Sequence, residues 1–125
     1  MPFSGWRNAA PEAISACRDL TRQGQVAAEQ GKWESAERLF EQATAACPEN
    51  PDAQRGHAEA LWRRGQQQQA LSVLDGAVRA APDDASLHLM VAEMSYAAGD
   101  MSAGAHAVRE AIELDPSLPA AWRLR

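Results

Sequence analysis

The chain has 125 residues, and its 12 basic and 17 acidic side chains give a net charge of −5. This length accommodates one compact domain or one short array of repeats. A negative charge disfavours nucleic acid and anionic membrane surfaces as partners of the whole chain. The sequence contains no run of about 18 apolar residues, so it predicts no membrane span.

Source and location are predicted from composition and from the start of the chain. Lys32 is the only lysine among the basic residues, a bias typical of GC-rich bacterial genomes. The first residues, MPFSGWRNAAPEAISAC, include no continuous apolar segment and therefore do not resemble a secretory signal. We expect a bacterial, cytoplasmic protein.

Residues 1–10 are rich in turn-forming residues, and we predict that they form a flexible leader, although Phe3 and Trp6 could fold back onto the first helix. Pro11 suits the first turn of a helix, since the missing N–H has no partner there. The segment from Pro11 to Gln30 is predicted to be helical. Its apolar stripe is expected to consist of Ala16, Leu20, Val26 and Ala27.

A second helix, from about Glu34 to Ala46, follows Gly31, which suits the end of a helix because glycine tolerates positive φ. The pattern from Gly31 to Pro48 then recurs twice at a constant spacing, beginning again at Gly65 and at Gly99. A fixed period of this length indicates a stacked array of helix pairs. Four positions hold the same or a similarly small residue in every repeat: Gly31/Gly65/Gly99, Ala36/Ala70/Gly104, Ala43/Ala77/Ala111 and Pro48/Pro82/Pro116.

The period divides the chain into three predicted units within a domain of residues 11–118. Asn50 and Asp84 are candidate N-caps of the second and third units. Residues 119–125 begin a further helix and are predicted to be a truncated stub. The units are residues 17–50, 51–84 and 85–118.

Two helices per period of about 34 residues, with these recurring residues, resemble the tetratricopeptide repeat, whose pattern is W-x2-L-G-x2-Y, then A-x3-F, A and P. The resemblance implies an all-α fold, a right-handed α-solenoid of antiparallel helix pairs. Small residues at the matching positions let paired helices approach closely. The matching positions hold Leu20, Gln23, Gly24, Ala27, Ala36, Phe40, Ala43 and Pro48, then Gln54, His57, Ala58, Leu61, Ala70, Leu74, Ala77 and Pro82, then His88, Val91, Ala92, Ser95, Gly104, Val108, Ala111 and Pro116.

The sequence offers no catalytic or metal-binding motif. His57, His88 and His106 are far apart and have no second ligand at helical spacing. We therefore interpret His57 and His88 as buried, hydrogen-bonded side chains rather than metal ligands. Neither a glycine-rich phosphate loop nor a G-x-S-x-G motif is present. We expect no enzymatic activity, no cofactor and no metal.

The two cysteines are a candidate disulfide. Cys17 lies at the start of the first helix of the first unit and Cys47 at the end of its second helix. In an antiparallel pair that turns near residue 32, the two positions lie nearly opposite each other. The alternative, which a cytoplasmic location favours, is two partly buried thiols. A disulfide would favour an extracytoplasmic location.

The resemblance also implies a binding surface, because in this family the first helices line a concave groove that holds a partner segment. Some members hold the carboxylate of a chaperone tail in a Lys/Asn/Lys/Arg clamp, which is absent here, since the corresponding positions are Thr21, Gln25, Glu59, Ser86 and Met90. The groove residues expected to contact a partner are Arg18, Arg22, Arg55, Glu59, Trp62, Arg63, Leu89, Met90, Glu93 and Tyr96.

We therefore predict a module that binds a peptide or protein segment. A ligand with one or two large apolar residues would contact the apolar end of the groove, and its acidic end would lie near Arg18, Arg22 and Arg55. In the alternative interpretation, the apolar side chains of the groove pack on one another or are covered by Phe3 and Trp6.

A second functional class remains open: a structural fragment of a longer solenoid, or a self-associating assembly unit. The stub has one large side chain, Trp122, which is expected to pack near Val108, Ile112 or Leu114. Because the stub is too short to be a stable helix alone, we expect weak self-association through this end.

Overall fold

A computed structural model describes residues 11–124, which form α-helices joined by short turns and include no strand. The helices pair in chain order, α1 with α2, α3 with α4 and α5 with α6, and each pair packs on the next. This arrangement is the predicted all-α solenoid. The predicted flexible leader, residues 1–10, lies outside the described residues. The helices are α1 (Pro11–Glu29), α2 (Trp33–Ala46), α3 (Pro51–Arg63), α4 (Gln67–Ala80), α5 (Ala85–Ala97), α6 (Met101–Leu114) and α7 (Pro119–Leu124).

The turn inside each helix pair is the same in all three units. Gly31 has a φ of 76°, a left-handed conformation that residues with a side chain rarely adopt. The N–H of the next residue, Lys32, donates to the carbonyl of Ala27 at 2.9 Å and closes the end of α1. The equivalent glycines, Gly65 and Gly99, have φ values of 83° and 90°. Repetition of this turn gives each unit the same helix–turn–helix shape.

The turns between units carry the predicted N-caps. Asn50 accepts hydrogen bonds from the backbone N–H groups of Asp52 and Ala53, at 2.9 and 3.1 Å, and so caps α3. The carboxylate of Asp84 accepts from the N–H of Ser86 at 3.0 Å and caps α5. Both caps are confirmed, and both satisfy backbone donors that the first turn of a helix leaves unpaired.

A second contact between units recurs with the same period as the glycine turns. The side chains of Gln54, His88 and Trp122 each place a nitrogen near the carbonyl of the proline six positions earlier, at 2.9, 2.9 and 2.7 Å. A carbonyl only accepts, so His88 carries its proton on Nε2. Three different residue types make the same bond because each places an N–H at this position of the first helix.

The junction of α1, α2 and α3 is filled by Phe40, which is 2% exposed. Its ring lies against Gly24 of α1 and Gly56 of α3, and a Cβ added to Gly24 would lie 2.8 Å from the ring. The two glycines thus make room for one large side chain. Smaller residues, Leu74 and Val108, are buried at the equivalent positions of the next two units.

The apolar stripe predicted for α1 is only partly correct. Ala16 and Val26 are exposed, and Leu20 is half-buried, whereas Ala27 is buried as expected. The core face is set by the contact with α2 and α3, which selects small side chains rather than the most apolar ones. Its buried residues are Cys17, Thr21, Gly24 and Ala27.

The short helix α7 covers the end of the third unit. Ala121 is fully buried, and Leu124 packs against the cluster formed by Ala92, Ala107 and Val108. Trp122 is 46% exposed. Its indole N–H donates to the Pro116 carbonyl in the turn before α7, at 2.7 Å. The predicted packing of Trp122 near Val108, Ile112 or Leu114 stays a prediction.

Candidate functional site

Three cavities follow one another along the face that the first helices, α1, α3 and α5, present. The N-terminal cavity has a volume of about 550 Å³, the central cavity about 310 Å³ and the C-terminal cavity about 400 Å³. Gln25 and Asp52 line both the N-terminal and the central cavity, and Glu59 lines both the central and the C-terminal cavity. Because neighbouring cavities share these residues, they form one continuous surface, which we call the groove.

The N-terminal cavity contains the predicted residues Arg18 and Arg22. Arg22 is exposed and pairs with Asp19 of its own helix at 3.3 Å, a contact that contributes little in water. Thr21 is 9% exposed, and its hydroxyl has no hydrogen-bond partner among the described residues. This end of the groove thus combines two exposed arginines with apolar side chains such as Ile14.

The wall of the N-terminal cavity includes the cysteine pair. The structure joins Cys17 and Cys47 by a disulfide, with their Cα atoms 5.8 Å apart. This separation lies in the range that a disulfide requires. The bond links the beginning of α1 to the end of α2, so it holds the first helix pair together at its open edge.

The central cavity contains two aromatic residues that the sequence did not assign to the groove. Phe40 reaches the cavity because Gly56 has no side chain to cover its ring. Trp33, the first residue of α2, forms the opposite wall, and the guanidinium group of Arg63 lies 5.1 Å from the centre of its ring. This distance is within the range of a cation–π contact. Gly56 of α3 was the signal that the buried ring behind it borders the cavity.

Arg55 lines the central cavity, but its guanidinium group is directed to the third unit. It donates to the Asp84 carboxylate and to the Ser86 hydroxyl, both at 3.0 Å, and lies 3.7 Å from Asp52. Burial alone would raise the pKa of Asp84, but hydrogen bonds from Ser86 and the charge of Arg55 outweigh it and lower that pKa. Arg55 thus joins two units. Arg55 also lines the central cavity, and its expected contact with the acidic end of a ligand stays a prediction.

The C-terminal cavity brings together five of the predicted residues. Trp62 and Met90 are half-buried and pack on the core below with one side, and with the other they line the cavity. Each side chain therefore has one side packed on the core, as in the alternative interpretation, and one side that lines the cavity. The predicted residues in this cavity are Glu59, Trp62, Arg63, Met90 and Glu93.

Two predicted groove residues do not line the three cavities. Leu89 is half-buried on α5. The ring of Tyr96 lies against Gly104 of α6, where an added Cβ would come within 2.7 Å of it. The glycine opens space for this ring between α5 and α6, and a contact of Tyr96 with a partner stays a prediction. Phe3 and Trp6, the proposed cover of the groove, lie outside the described residues.

The histidine, cysteine and acidic side chains are the candidate metal ligands of the chain. His57 lies 3.8 Å from Glu41, and its side chain is 16% exposed. Between residues 11 and 124, no three His, Cys, Asp or Glu side chains come together as a metal site. None of the helices there combines the length and the apolar character that a membrane crossing needs.

Comparison with solved structures shows the same architecture in several repeat domains. The first TPR of Spaghetti (RPAP3), bound to the HSP90 peptide SRMEEVD, is 20% identical, with a TM-score of 0.83 over 87% of this chain and 86% of that one. The Arabidopsis OM64 TPR domain is 18% identical, with a TM-score of 0.84 over 90% and 93%.

A third similar structure is the Yersinia enterocolitica type III secretion chaperone SycD in complex with a peptide of the translocator YopD. It is 17% identical, with a TM-score of 0.77 over 86% of this chain and 82% of that one. At these identities the likeness shows the fold alone. No curated protein sequence matches the chain significantly.

The sequence itself carries the family assignment. The profile of the tetratricopeptide repeat matches residues 21–85, which is more than half of the chain. This range runs from the buried face of α1 through the whole second unit to the first residue of α5. It includes two of the three glycine turns and the cap that begins the third unit. The chain belongs to the tetratricopeptide repeat family.

Proposed function

We propose that this protein is a protein-interaction module that holds a peptide or protein segment in the groove. The observation that carries the proposal is the continuity of the three cavities along α1, α3 and α5, with Trp62 and Met90 facing the opening. Aromatic and methionine side chains at a groove surface supply most of the contact energy in interfaces of this kind. The proposal assigns the chain binding rather than catalysis.

The similar structures support this proposal by their own ligands. The Spaghetti domain holds an HSP90 peptide, and SycD holds a peptide of YopD. A chain segment that lies in such a groove must be ordered on binding, and a groove of three units is short. We therefore expect affinities in the micromolar range.

The test is a selection of short random peptides displayed against the full chain, followed by affinity measurements on the parent and on Trp62→Ala. Loss of the indole should weaken binding by about 2 kcal/mol, or roughly thirtyfold. Trp122→Ala is the matched control, since it removes an indole that lies outside the groove. Peptides that bind all three proteins equally well would place the site elsewhere and overturn the proposal.

The second candidate function, self-association through the C-terminal end, is supported by a separate observation. Leu114 and Trp122 are 39% and 46% exposed at the C-terminal end of the described helices. An array of repeats needs a polar outer face at its end, and these two side chains leave it partly apolar. If this end associates, the sedimentation mass rises with concentration and Trp122→Ala suppresses the rise; a constant mass excludes the candidate.

The proposed location of the protein depends on whether its two cysteines are oxidised or reduced. The composition supports a bacterial cytoplasm, whereas a Cys17–Cys47 disulfide supports an oxidising compartment outside it. The geometry lets the bond form wherever the compartment is oxidising. Alkylation of free thiols before lysis distinguishes the two, because a cytoplasmic chain is labelled at both cysteines and an oxidised chain at neither.

A further inference from the structure

We propose that the C-terminal cavity of the groove binds a lysine or arginine side chain of the partner segment. This inference rests on the proposed function, because it names the chemistry of a ligand in the same groove. The ligand expected from the sequence has large apolar residues at this end of the groove and an acidic end near Arg18, Arg22 and Arg55. The charges and contacts of the groove residues argue for a cationic side chain at the apolar end.

The C-terminal cavity has an apolar floor and a carboxylate at each side. Trp62 of α3 and Met90 of α5 form the floor together with Met94 and Ala97. Glu59 lies one turn before Trp62 on α3, and Glu93 lies one turn after Met90 on α5. Residues at this spacing share a helix face, so each helix presents one carboxylate beside one large apolar side chain.

Neither carboxylate has an ion-pair partner within the described part of the chain. Arg63 lies one turn after Glu59 and is the natural partner, but its guanidinium group lies over the ring of Trp33 instead. Arg55, the other groove arginine nearby, is held by Asp84, Ser86 and Asp52. Both arginines of α3 that line the groove are therefore already engaged, Arg63 within this same cavity, and neither glutamate is paired with them.

The adjoining central cavity extends the negative surface. Glu29 and Asp52 line it together with Glu59. Glu29 has no ion pair among the described residues, and Asp52 shares Arg55 with Asp84. Arg55 and Arg63 line these two cavities and offset part of this charge, whereas Arg18 and Arg22 lie in the N-terminal cavity. The four carboxylates of Glu29, Asp52, Glu59 and Glu93 against two guanidinium groups leave the central and C-terminal thirds of the groove negative.

Lysine and arginine fit this arrangement because each joins an aliphatic stem to a cationic head. The stem packs on the methionine and indole surfaces, while the head stays at the rim, where the carboxylates lie. The face of Trp62 adds a further attraction for a cation. A purely apolar side chain would cover Glu59 and Glu93 without replacing their contacts with water, which is unfavourable, and an acidic side chain would be repelled.

The test is the composition and affinity of peptides selected against the full chain from a random display library at low salt. We expect enrichment of lysine and arginine beside a large apolar residue. In the best peptide, replacement of the cationic residue by glutamine should weaken binding on the order of tenfold. Added salt should weaken binding of the parent peptide more than that of the glutamine peptide.

The protein side of the test uses the double variant Glu59→Gln and Glu93→Gln, which keeps the shape of both side chains. It should bind the cationic peptide about as weakly as the parent binds the glutamine peptide. The matched control is Glu49→Gln with Glu113→Gln, which removes the same charge from exposed positions outside the three cavities. The control should keep the affinity of the parent.

The outcomes separate this inference from the proposed function. Selected peptides that are acidic or uncharged, yet lose affinity for Trp62→Ala, overturn the cation site and keep the groove. A cationic peptide that binds the Glu59→Gln, Glu93→Gln variant as tightly as the parent also overturns the cation site. Absence of any selected peptide, or equal binding to Trp62→Ala, overturns both. Binding that appears only at protein concentrations where the sedimentation mass doubles assigns the groove to a second copy and overturns the inference.

Discussion

The first and third helix pairs fill the space between their helices from opposite sides. In the first, the ring comes from the second helix, where Phe40 packs against Gly24 and Gly56 of the first helices. In the third, the ring comes from the first helix, where Tyr96 packs against Gly104 of the second. A large side chain and a glycine are therefore a complementary pair, and either helix can supply either member.

The two pairings differ in burial. Phe40 is 2% exposed and contacts three helices, whereas Tyr96 is half-buried. The position equivalent to Phe40 in the third unit holds the smaller Val108. A buried ring between three helices has no direction in which to move, while a ring at the edge of a pair can turn toward solvent. The packing around Phe40 should thus be rigid, whereas the packing around Tyr96 should adapt to a substitution.

The largest expected effect is the loss of the Phe40 ring. Phe40→Ala should lower the free energy of unfolding by about 3–5 kcal/mol, because it leaves a cavity at the junction of three helices. Tyr96→Ala should cost less than half as much, since its ring is only half-buried. Urea denaturation of both variants measures the difference. Equal costs would contradict the contrast between the two junctions.

The disulfide is expected to have the next largest effect. It closes a loop across a sequence separation of 30, for which the chain-entropy account gives a stabilisation of about 3.6 kcal/mol. Unfolding of the parent with and without reductant measures this value. The double variant Cys17→Ala and Cys47→Ala is the control and should not respond to reductant. If the parent is equally stable in both conditions, the bond does not add to the stability of the first helix pair.

Substitution of Gly56 and of Gly104 by alanine should have different costs in stability, because the first glycine contacts the rigid Phe40 ring and the second contacts the more mobile Tyr96 ring. Gly56→Ala should destabilise by about 1–3 kcal/mol, because its Cβ meets the immobile ring of Phe40. Gly104→Ala should change stability by less than about 1 kcal/mol, since the gain in helix propensity offsets the contact with a movable Tyr96. Thermal unfolding of both variants measures the contrast.

A double variant tests whether contact with the Phe40 ring causes the cost of Gly56→Ala. Phe40→Leu in the Gly56→Ala background makes room for the new methyl group, so the double variant should cost less than the sum of the single changes. If the costs of the two substitutions simply add, contact with the Phe40 ring is not the cause.

The features predicted correctly from the sequence are those that a few neighbouring residues determine. A glycine after a helix, an asparagine followed by proline, and an aspartate before a helix each act within one turn, and the constant spacing of these signals gives the stacked fold. The groove face follows from the same phase. Glu59, Trp62, Met90 and Glu93 line the groove because they lie on the first helices at the expected positions.

The contacts that were not predicted are those set by another unit or another helix. Arg55 pairs with Asp84 in the next unit, 29 residues later. The ring of Tyr96 lies against Gly104 because a glycine at this position leaves space for it. The presence of Trp33 in the groove depends on how α2 approaches α3. Periodicity places a residue on a face, but it does not determine which neighbour that residue contacts.

The smallest expected effect is a pH dependence of the first junction. His57 of α3 lies beside Glu41 of α2. Burial lowers the pKa of His57 below its ordinary value of 6.5, and attraction to Glu41 and Glu37 only partly opposes this change. The unfolded chain therefore binds a proton on this side chain more strongly than the folded chain does. Stability should be full above pH 6.5, fall as the pH drops below 6.5, and level off below the lowered pKa of the folded state.

The measurement is the midpoint of thermal unfolding between about pH 7.5 and 5.5, a window above the ordinary range of the carboxylates. The parent should lose stability toward the acidic end of this window, and His57→Gln should lose less, because glutamine does not titrate. His106→Gln removes an exposed histidine from the third unit and should follow the parent. If His106→Gln flattens the pH profile and His57→Gln does not, the proton is taken up outside the first junction. The first and third helix pairs would then differ in packing and not in their response to pH.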